Sequence, residues 1–485
     1  MRGTTYSAAK PVMFMASLLP MLLSGCTQDA QLAQGESPVV AAVANELGGS
    51  HFIKGHSERN TQGYTIESGT LSGPLTDRVD GSLVVVTDQD GAITAIIDRP
   101  GRRGTLHVDK AGGRRFLEEP PYDYMKPDTV EGLAESASAP AANTPDNTEI
   151  IDALVLFSTK ALAVLNADPV AFALAQLETA NLGLRNSQVA GVQLRLAGVR
   201  VTETDLPVDG TGLKQVQSML TPLRPDYQQD INVGYFDASP YAGMAYKPGW
   251  DSLNSIHYPL AFRHEVGHNA GGDHCNEDGR DDYRFGYQTA GGAHTFLCGN
   301  NVPYYSNPQV TYDGRPLGNS RTADMARLWR EQAGRLSGYS PEFQGARLIY
   351  VSDQAQARVT VAPSQARLRV GVVALSSDVG PTALTFGGEG TTTLAVKLTA
   401  EDGSVRSVKF RAQREVAGCP GFTTMNSYVV CNPGSGGAQL LLRFAREDNP
   451  QLPPGWYNGT VKLEARNADD PNWSLPILVS LAVHR

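Results

Sequence analysis

Residues 264–274 read His-Glu-Val-Gly-His-Asn-Ala-Gly-Gly-Asp-His, and few local folds can accommodate such a run. His264 and His268 are four apart, which makes them neighbours on one face of a helix, about 5–6 Å apart at Cβ. Two imidazoles so placed can meet one Zn²⁺ at about 2.0–2.1 Å from each nitrogen. A third ligand from the next helical turn would crowd the first two. Gly271 resolves this, because glycine takes positive φ and ends a helix abruptly. The chain then turns back and brings His274 to the same ion. Three neutral imidazoles leave a fourth position for water, the arrangement of a catalytic rather than a structural zinc site. Three of the chain's nine histidines fall within these eleven residues, which argues against a chance surface cluster.

Glu265 follows His264 directly, so its carboxylate lies close to the metal without sharing its face. Zinc lowers the pKa of a bound water to about 7. A nearby carboxylate can take the proton as that water attacks a carbonyl, then pass it to the leaving amine. Zinc also polarises the carbonyl and holds the developing oxyanion. The expected reaction is hydrolysis of a peptide bond without a covalent intermediate.

With Gly271 and His274 at fixed offsets, the run resembles the long motif of the metzincin metallopeptidases. Further on, Tyr304-Tyr305-Ser306-Asn307-Pro308, then Val310, Tyr312, Gly314, Pro316 and Gly318, are similar to the segment that closes the catalytic domain in bacterial reprolysin-like members, among them the peptidyl-Asp metallopeptidases. Together the matches span about residues 148–340. The resemblance implies a mixed twisted sheet with helices. It also implies an edge strand at Tyr241-Ala242-Gly243-Met244-Ala245-Tyr246, where Gly243, Met244 and Ala245 would pair with an extended substrate backbone. A plain surface loop is the alternative for that segment. Metzincins carry a methionine in a tight turn beneath the zinc and a tyrosine two residues later. This chain departs from that pattern: His294-Thr295-Phe296-Leu297-Cys298-Gly299 puts Leu297 and Gly299 in those places. Leucine for methionine nearly conserves volume. Tyr304 or Tyr305 is the candidate replacement oxyanion donor, with packing as the alternative role.

At 485 residues the chain is long enough for two or three domains. Its 41% hydrophobic and 19% charged residues are ordinary for folded protein. A net charge of −9 with no basic run argues against nucleic acid as a partner. Arg2 and Lys10 precede an apolar stretch from Val12 to Leu23, which reads as a secretion signal over 1–25 and is short for a membrane span. Leu23-Ser24-Gly25-Cys26 resembles a bacterial lipobox, which implies cleavage before Cys26 and lipid on that cysteine. Thr27, in place of an aspartate, implies by the same resemblance the outer membrane or cell surface. Four cysteines follow, an even number as expected for disulfides in an exported protein. Cys275–Cys298 and Cys419–Cys431 are the expected pairs, because each lies inside one predicted domain.

The remaining organisation is read from strand and turn signals. Residues 26–45 look like a tether. Residues 46–120 carry short strands separated by Asp-Gly and Gly-rich turns, a small β domain. Residues 121–147 read as an exposed linker open to proteolysis. The β domain is either an inhibitory propeptide, making the protein a zymogen, or a permanent module. No cysteine lies between Cys26 and Cys275, so a thiolate cannot cover the metal; His51, His56 or a carboxylate would have to. In the catalytic segment, Ile150–Phe157, Val192–Leu196 and Ile231–Phe236 read as strands. Asp168-Pro169 opens a helix with one apolar face at Val170, Leu174, Leu177 and Leu184, and with Gly183 as a weak spot. Pro259 is expected to begin the zinc helix, and Asn319–Leu336 to form the last one. The acidic loop 276–282 could take Ca²⁺, but its spacing fits no EF-hand, and a solvated loop is the reading kept. Residues 345–485 alternate in short stretches punctuated by Gly, Pro and Asp, an antiparallel β-sandwich.

The expected fold class is therefore α+β, with a metzincin-like unit between a small β domain and a β-sandwich. The expected function is zinc-dependent cleavage of protein or peptide substrates. The alternative is a surface adhesin whose zinc unit is degenerate.

Overall fold

The computed structural model describes residues 38–132 and 148–341, apart from the short stretches 61–63, 74–77, 89–90 and 239, together with parts of 346–483. The architecture is mixed α/β, mostly sheet with few helices. α1 (Pro38–Leu47) lies where a tether was expected; its Val43 and Leu47 are buried against the first sheet. That sheet is an antiparallel meander of six strands, β1 (His51–Arg59), β2 (Thr65–Ser72), β3 (Val79–Thr87), β4 (Ile93–Arg99), β5 (Arg102–Val108) and β6 (Arg114–Glu118). Alternation sends Leu83, Val85, Ala95 and Ile97 to the side of α1, and Val84, Val86 and Ile96 to the catalytic core.

The second sheet has the order β7-β11-β12-β10-β8-β9. Its strands are β7 (Thr129–Glu131), β8 (Glu149–Ser158), β9 (Val192–Thr202), β10 (Ile231–Phe236), β11 (Gly243–Lys247) and β12 (Asp251–Ser255). β9, β8, β10 and β12 run parallel, and β11 turns back antiparallel to β12. The short β7 pairs parallel with β11, opposite Ala245, Tyr246 and Lys247. Residues 121–132 therefore do not form an exposed linker. Their apolar and acidic side chains have partners in the catalytic unit, which the local composition does not reveal.

Helices α2 (Thr159–Leu165), α3 (Pro169–Asn186), α4 (Gly210–Leu220), the short α5 (Arg224–Tyr227), α6 (Phe262–Asn269) and α7 (Met325–Leu336) complete this unit. Asp168 caps α3 through Val170 N–H, with Pro169 at the first helical position. The helix was expected to bury one stripe, yet residues 169–184 are buried all round. One side meets α6 and β9, and β2, β3 and β4 cover the other. A helix enclosed by two layers buries both faces. Two other starts differ from expectation. Pro259 lies in the turn before α6, which begins at Phe262, and α7 begins at Met325 with Asp324 as its N-cap. A tight turn bridging Asn319 and Ala323 occupies the residues before it.

Beyond residue 345 the strands join one ten-stranded sheet. Its pairings are antiparallel except that of Ala346–Tyr350 with Trp473–Val483, which is parallel. It reaches the catalytic unit through Trp456, in the shared core, and through Asn458, whose side-chain oxygen accepts from Tyr227 Oη at 3.0 Å.

Gly183 has a packing purpose. A methyl group there would sit 2.1 Å from Cε2 of the Phe296 ring, which is fully buried. Alanine would gain about 0.8–1.0 kcal/mol in helix propensity, but overpacking typically costs about 1–3 kcal/mol. Phe296 cannot retreat freely, because its carbonyl holds His264. Gly183→Ala is expected to lower stability by about 1–2 kcal/mol, read from the urea midpoint at unchanged m-value.

Candidate metal centre

The three histidines of the run converge as their spacing requires. α6 carries His264 and His268 on one face, and Gly271, at φ 103°, ends the helix and reverses the chain towards His274. His264 Nε2 lies 3.0 Å from His268 Nε2 and 3.2 Å from His274 Nε2. Ligands about 2.0–2.1 Å from a tetrahedral ion sit roughly 3.3–3.4 Å apart, so the donor set fits one such ion. Two carbonyls fix the rings: His264 Nδ1–H donates to Phe296 O at 2.6 Å, and His268 Nδ1–H to Gly272 O at 2.8 Å. Each bond leaves Nε2 free to ligate. Burial first, against the opposing charge of Asp128, brings His264 down to about 4.

The sequence reading missed the fourth member of the cluster. Asp128, just before β7, places its carboxylate oxygens 3.2 Å from His264 Nε2, 3.3 Å from His268 Nε2 and 3.0 Å from His274 Nε2. Among the described residues these four form the one group able to hold a metal. Burial opposes the charge on Asp128, but His268 and His264 outweigh it and hold the carboxyl far below its usual range. Only the expectation that some carboxylate would cover the metal pointed this way. His51 and His56, the other candidates, lie on β1 and are absent from the cluster.

Glu265 is buried beside the cluster, and neither of its carboxylate oxygens has a hydrogen-bond partner. Burial, then the charge of Asp128, pushes its pKa well above the usual value. A methyl group at Gly243 would lie 2.4 Å from Glu265 Oε1, so β11 passes this carboxylate at glycine distance. Gly243 and Ala245 are on the strand as expected, while Met244 points into the cluster between β11 and α4. The outer edge of β11 is not open, because β7 covers it.

Leu297 lies beneath the histidines. Added methyl groups at Gly267 and Gly272 would meet its side chain at 2.4 and 2.6 Å, and at Gly272 also Met325 from α7 at 2.4 Å. The two tyrosines do not face the cluster. Tyr305 is buried and donates its hydroxyl to Arg263 O at 2.8 Å, and Tyr304 packs on Tyr312. Both serve packing, because the chain after Leu297 turns them into the core behind α6. Cys275 and Cys298 form the expected disulfide, which removes Cys275 as a ligand. Cys26 and the Cys419–Cys431 pairing lie outside the described residues. In the acidic loop, Asp278, Asp281 and Asp282 pair with Arg280, Arg321 and Arg284, so the carboxylates proposed for Ca²⁺ face guanidinium groups instead.

No family model matches the chain. It is 26% identical over 293 residues to the peptidyl-Asp metalloendopeptidase of Stenotrophomonas maltophilia strain K279a, which covers 52% of this chain and 66% of that one. It is 25% identical over 257 residues to the enzyme of the same name from Xanthomonas campestris pv. campestris, covering 47% and 60%. The chain thus spans 60–66% of these relatives' length. Metalloproteinase-II from Bacteroides fragilis is a structural neighbour at TM-score 0.35 and 12% identity, covering 59% of this chain and 87% of that one. The distant relatives are metallopeptidases, and they support a peptidase with a metal cofactor.

Removing one imidazole should matter more than removing the carboxylate. His268→Ala is expected to lose stoichiometric metal, whereas Asp128→Ala keeps about one ion per chain, because three imidazoles remain. Elemental analysis after gel filtration reads the difference.

Proposed function

We propose that the chain is a zinc endopeptidase of the metzincin type, held latent by its own N-terminal segment. The convergence of His264, His268 and His274 beside a buried, unpartnered Glu265 carries this reading. The three imidazoles would hold the ion, which would supply a Lewis acid for the scissile carbonyl and a water acidic enough to attack at neutral pH. Glu265 takes the proton of the attacking water and delivers it to the leaving amine. β11 lines up the substrate backbone, and Gly243 lets that backbone pass close to Glu265.

Latency follows from what occupies these positions. Asp128 stands where water and the carbonyl would meet the imidazoles, and β7 takes up the edge of β11. Its negative charge also favours the protonated form of Glu265, which cannot act as a base. Cleavage in 133–147 followed by withdrawal of 121–132 would free both. We further propose export and anchoring through lipid on Cys26; among the described residues no single helix is long and apolar enough to cross a membrane.

Glu265→Gln should keep one zinc per chain while turnover of a casein-type substrate falls by about 10²–10⁴. Retention of activity would remove Glu265 from its role. Asp128→Ala in the uncut chain should raise basal turnover, with a smaller further gain on cutting between 132 and 148. Equal rates before and after cutting the otherwise unaltered chain would end the latency reading.

A further inference from the structure

Arg263 immediately precedes the first histidine of the cluster, and its side chain is 1% exposed. A guanidinium that deep needs an anion, because a buried charge stripped of its partner is strongly destabilising. The catalytic unit offers a neutral partner, Asn300, whose Oδ1 accepts from Arg263 Nε at 2.7 Å. The anion comes from the N-terminal sheet: Asp98 Oδ2, on β4, accepts from Arg263 Nη2 at 2.6 Å. Asp98 Oδ1 accepts from Arg103 Nε of β5 at 2.9 Å, and Arg103 Nη2 donates to Asn300 O at 2.5 Å. The sheet thus completes a charge network at the start of α6.

α3 depends on the sheet as well. Residues 169–184 are buried, and β2, β3 and β4 cover the side away from α6 and β9. The helix has no polar stripe to turn towards water, since Gln176, Glu178, Thr179 and Asn181 are themselves buried. Glu178 meets Ser68 of β2 and Arg185, and Asp168 at the helix start accepts from Tyr64 Oη at 2.6 Å. Asn181 bonds both backbone groups of Leu194, on β9. A helix without a polar face is stable when enclosed. Tyr64, Ile66, Val84, Val86 and Ile96 of the sheet supply that enclosure.

The chain after the sheet is held by fewer contacts. Glu119 still continues the pairing: its N–H donates to Arg103 O at 2.8 Å, and its Oε2 accepts from Leu260 N–H at 3.2 Å. Pro120 and Pro121 follow, are exposed, and lack the N–H that a ladder needs. Beyond them the segment meets the catalytic unit through Tyr122, Tyr124 and Asp128 and through the three residues of β7. A broad apolar interface thus gives way to a narrow strap at Pro120-Pro121.

We infer that the N-terminal sheet is a permanent subunit of the working protein: after a cut in 133–147 only 121–132 leaves the metal cluster, while the part through Glu119 stays seated as a separate chain, with Asp98 anchoring it to Arg263. This rests on the latent-peptidase reading for the purpose of the cut, whereas the seating is measured without turnover. A large apolar interface is the case in which neighbouring parts of a chain do not move apart.

The test uses the full chain with a protease site introduced within 133–147, cut to completion, and a dye on the N-terminal fragment. Gel filtration at micromolar and at nanomolar protein should return both fragments in one peak at the volume of the uncut chain, with turnover of a casein-type substrate following that peak. Two separate peaks, with metal and turnover in the catalytic fragment alone, would overturn the inference. One shared peak with no gain in turnover over the uncut chain would defeat the latency reading and leave the seating of the sheet in place. Exchange of the dyed fragment into an excess of undyed cut protein gives its dissociation rate. Asp98→Asn should raise that rate at least ~10-fold, because Arg263 is left without its anion. Adding Arg263→Gln to Asp98→Asn should bring the rate part of the way back, since the unpaired charge is then gone. A rate unchanged by Asp98→Asn would overturn the part assigned to Asp98. Should that variant fail to fold, as thermal melting would reveal, the double variant and the unaltered cut chain carry the test through the shared peak.

Discussion

Two hydrogen bonds from imidazole to backbone carbonyl hold the centre of this molecule together. His264 Nδ1–H reaches Phe296 O, and His268 Nδ1–H reaches Gly272 O. They set which nitrogen each ring turns towards the cluster, so they fix the donor set before any ion arrives. Phe296 is itself fixed on two sides. Gly183 of α3 receives its ring edge, and Arg263 lies over its face. The position of a ligating nitrogen therefore depends on a glycine some eighty residues earlier. The carbonyl of Gly272 depends in turn on the left-handed Gly271. Small residues at 183, 243, 267 and 272 each admit a neighbour that a methyl group would exclude.

The N-terminal sheet adds a second constraint by sharing a core with the catalytic unit. Val84, Val86 and Ile96 join the cluster that contains Phe157, Phe172 and Val266. Polar contacts accompany them: Ser68 and Glu178 bond within that interface, Arg185 pairs with Glu178, and Tyr64 Oη donates to Asp168 at 2.6 Å. This interface is large and mostly apolar, and it positions the segment 121–132. A carboxylate at Asp128 alone, without a fixed backbone, would have no ordered place among the imidazoles. Anchored by the sheet behind it and by β7 on β11, it has an ordered place among them.

The sequence was most legible where one residue type has one geometric use. Spacing and residue type indicated the three histidines, the stop at Gly271 and the Asp168 cap, because each follows from local chain geometry; the Cys275–Cys298 bridge was expected because both cysteines lie inside one domain. What was hidden depends on contacts distant in sequence. Asp128 sits in a stretch rich in Pro, acidic and small residues that reads as linker, and only its pairing with β11 makes it structural. The all-round burial of α3 was hidden for the same reason: the covering strands belong to another part of the chain. Tyr304 and Tyr305, weighed as replacements for the tyrosine missing at Gly299 against a role in packing, take the packing role. Arg263 reads as an ordinary helical charge until Asp98, 165 residues away in sequence, is seen to meet it.

A strand laid along β11 with its backbone near Glu265 would seem an invitation to cleavage, yet the segment through Asp128 presents the wrong group. What reaches the imidazoles is a side-chain carboxylate. Burial, and then the same carboxylate, raises the proton affinity of Glu265, the base in the proposed reading. Nearby, Tyr124 packs beside His264 and donates its hydroxyl to Glu119, so one continuous stretch of chain lies along the cluster. In the proposed reading, the contacts of Tyr124, Asp128 and β7 are coupled through the backbone of residues 119–131. That coupling lets one cut in 133–147 release the whole covering segment from the metal site at once.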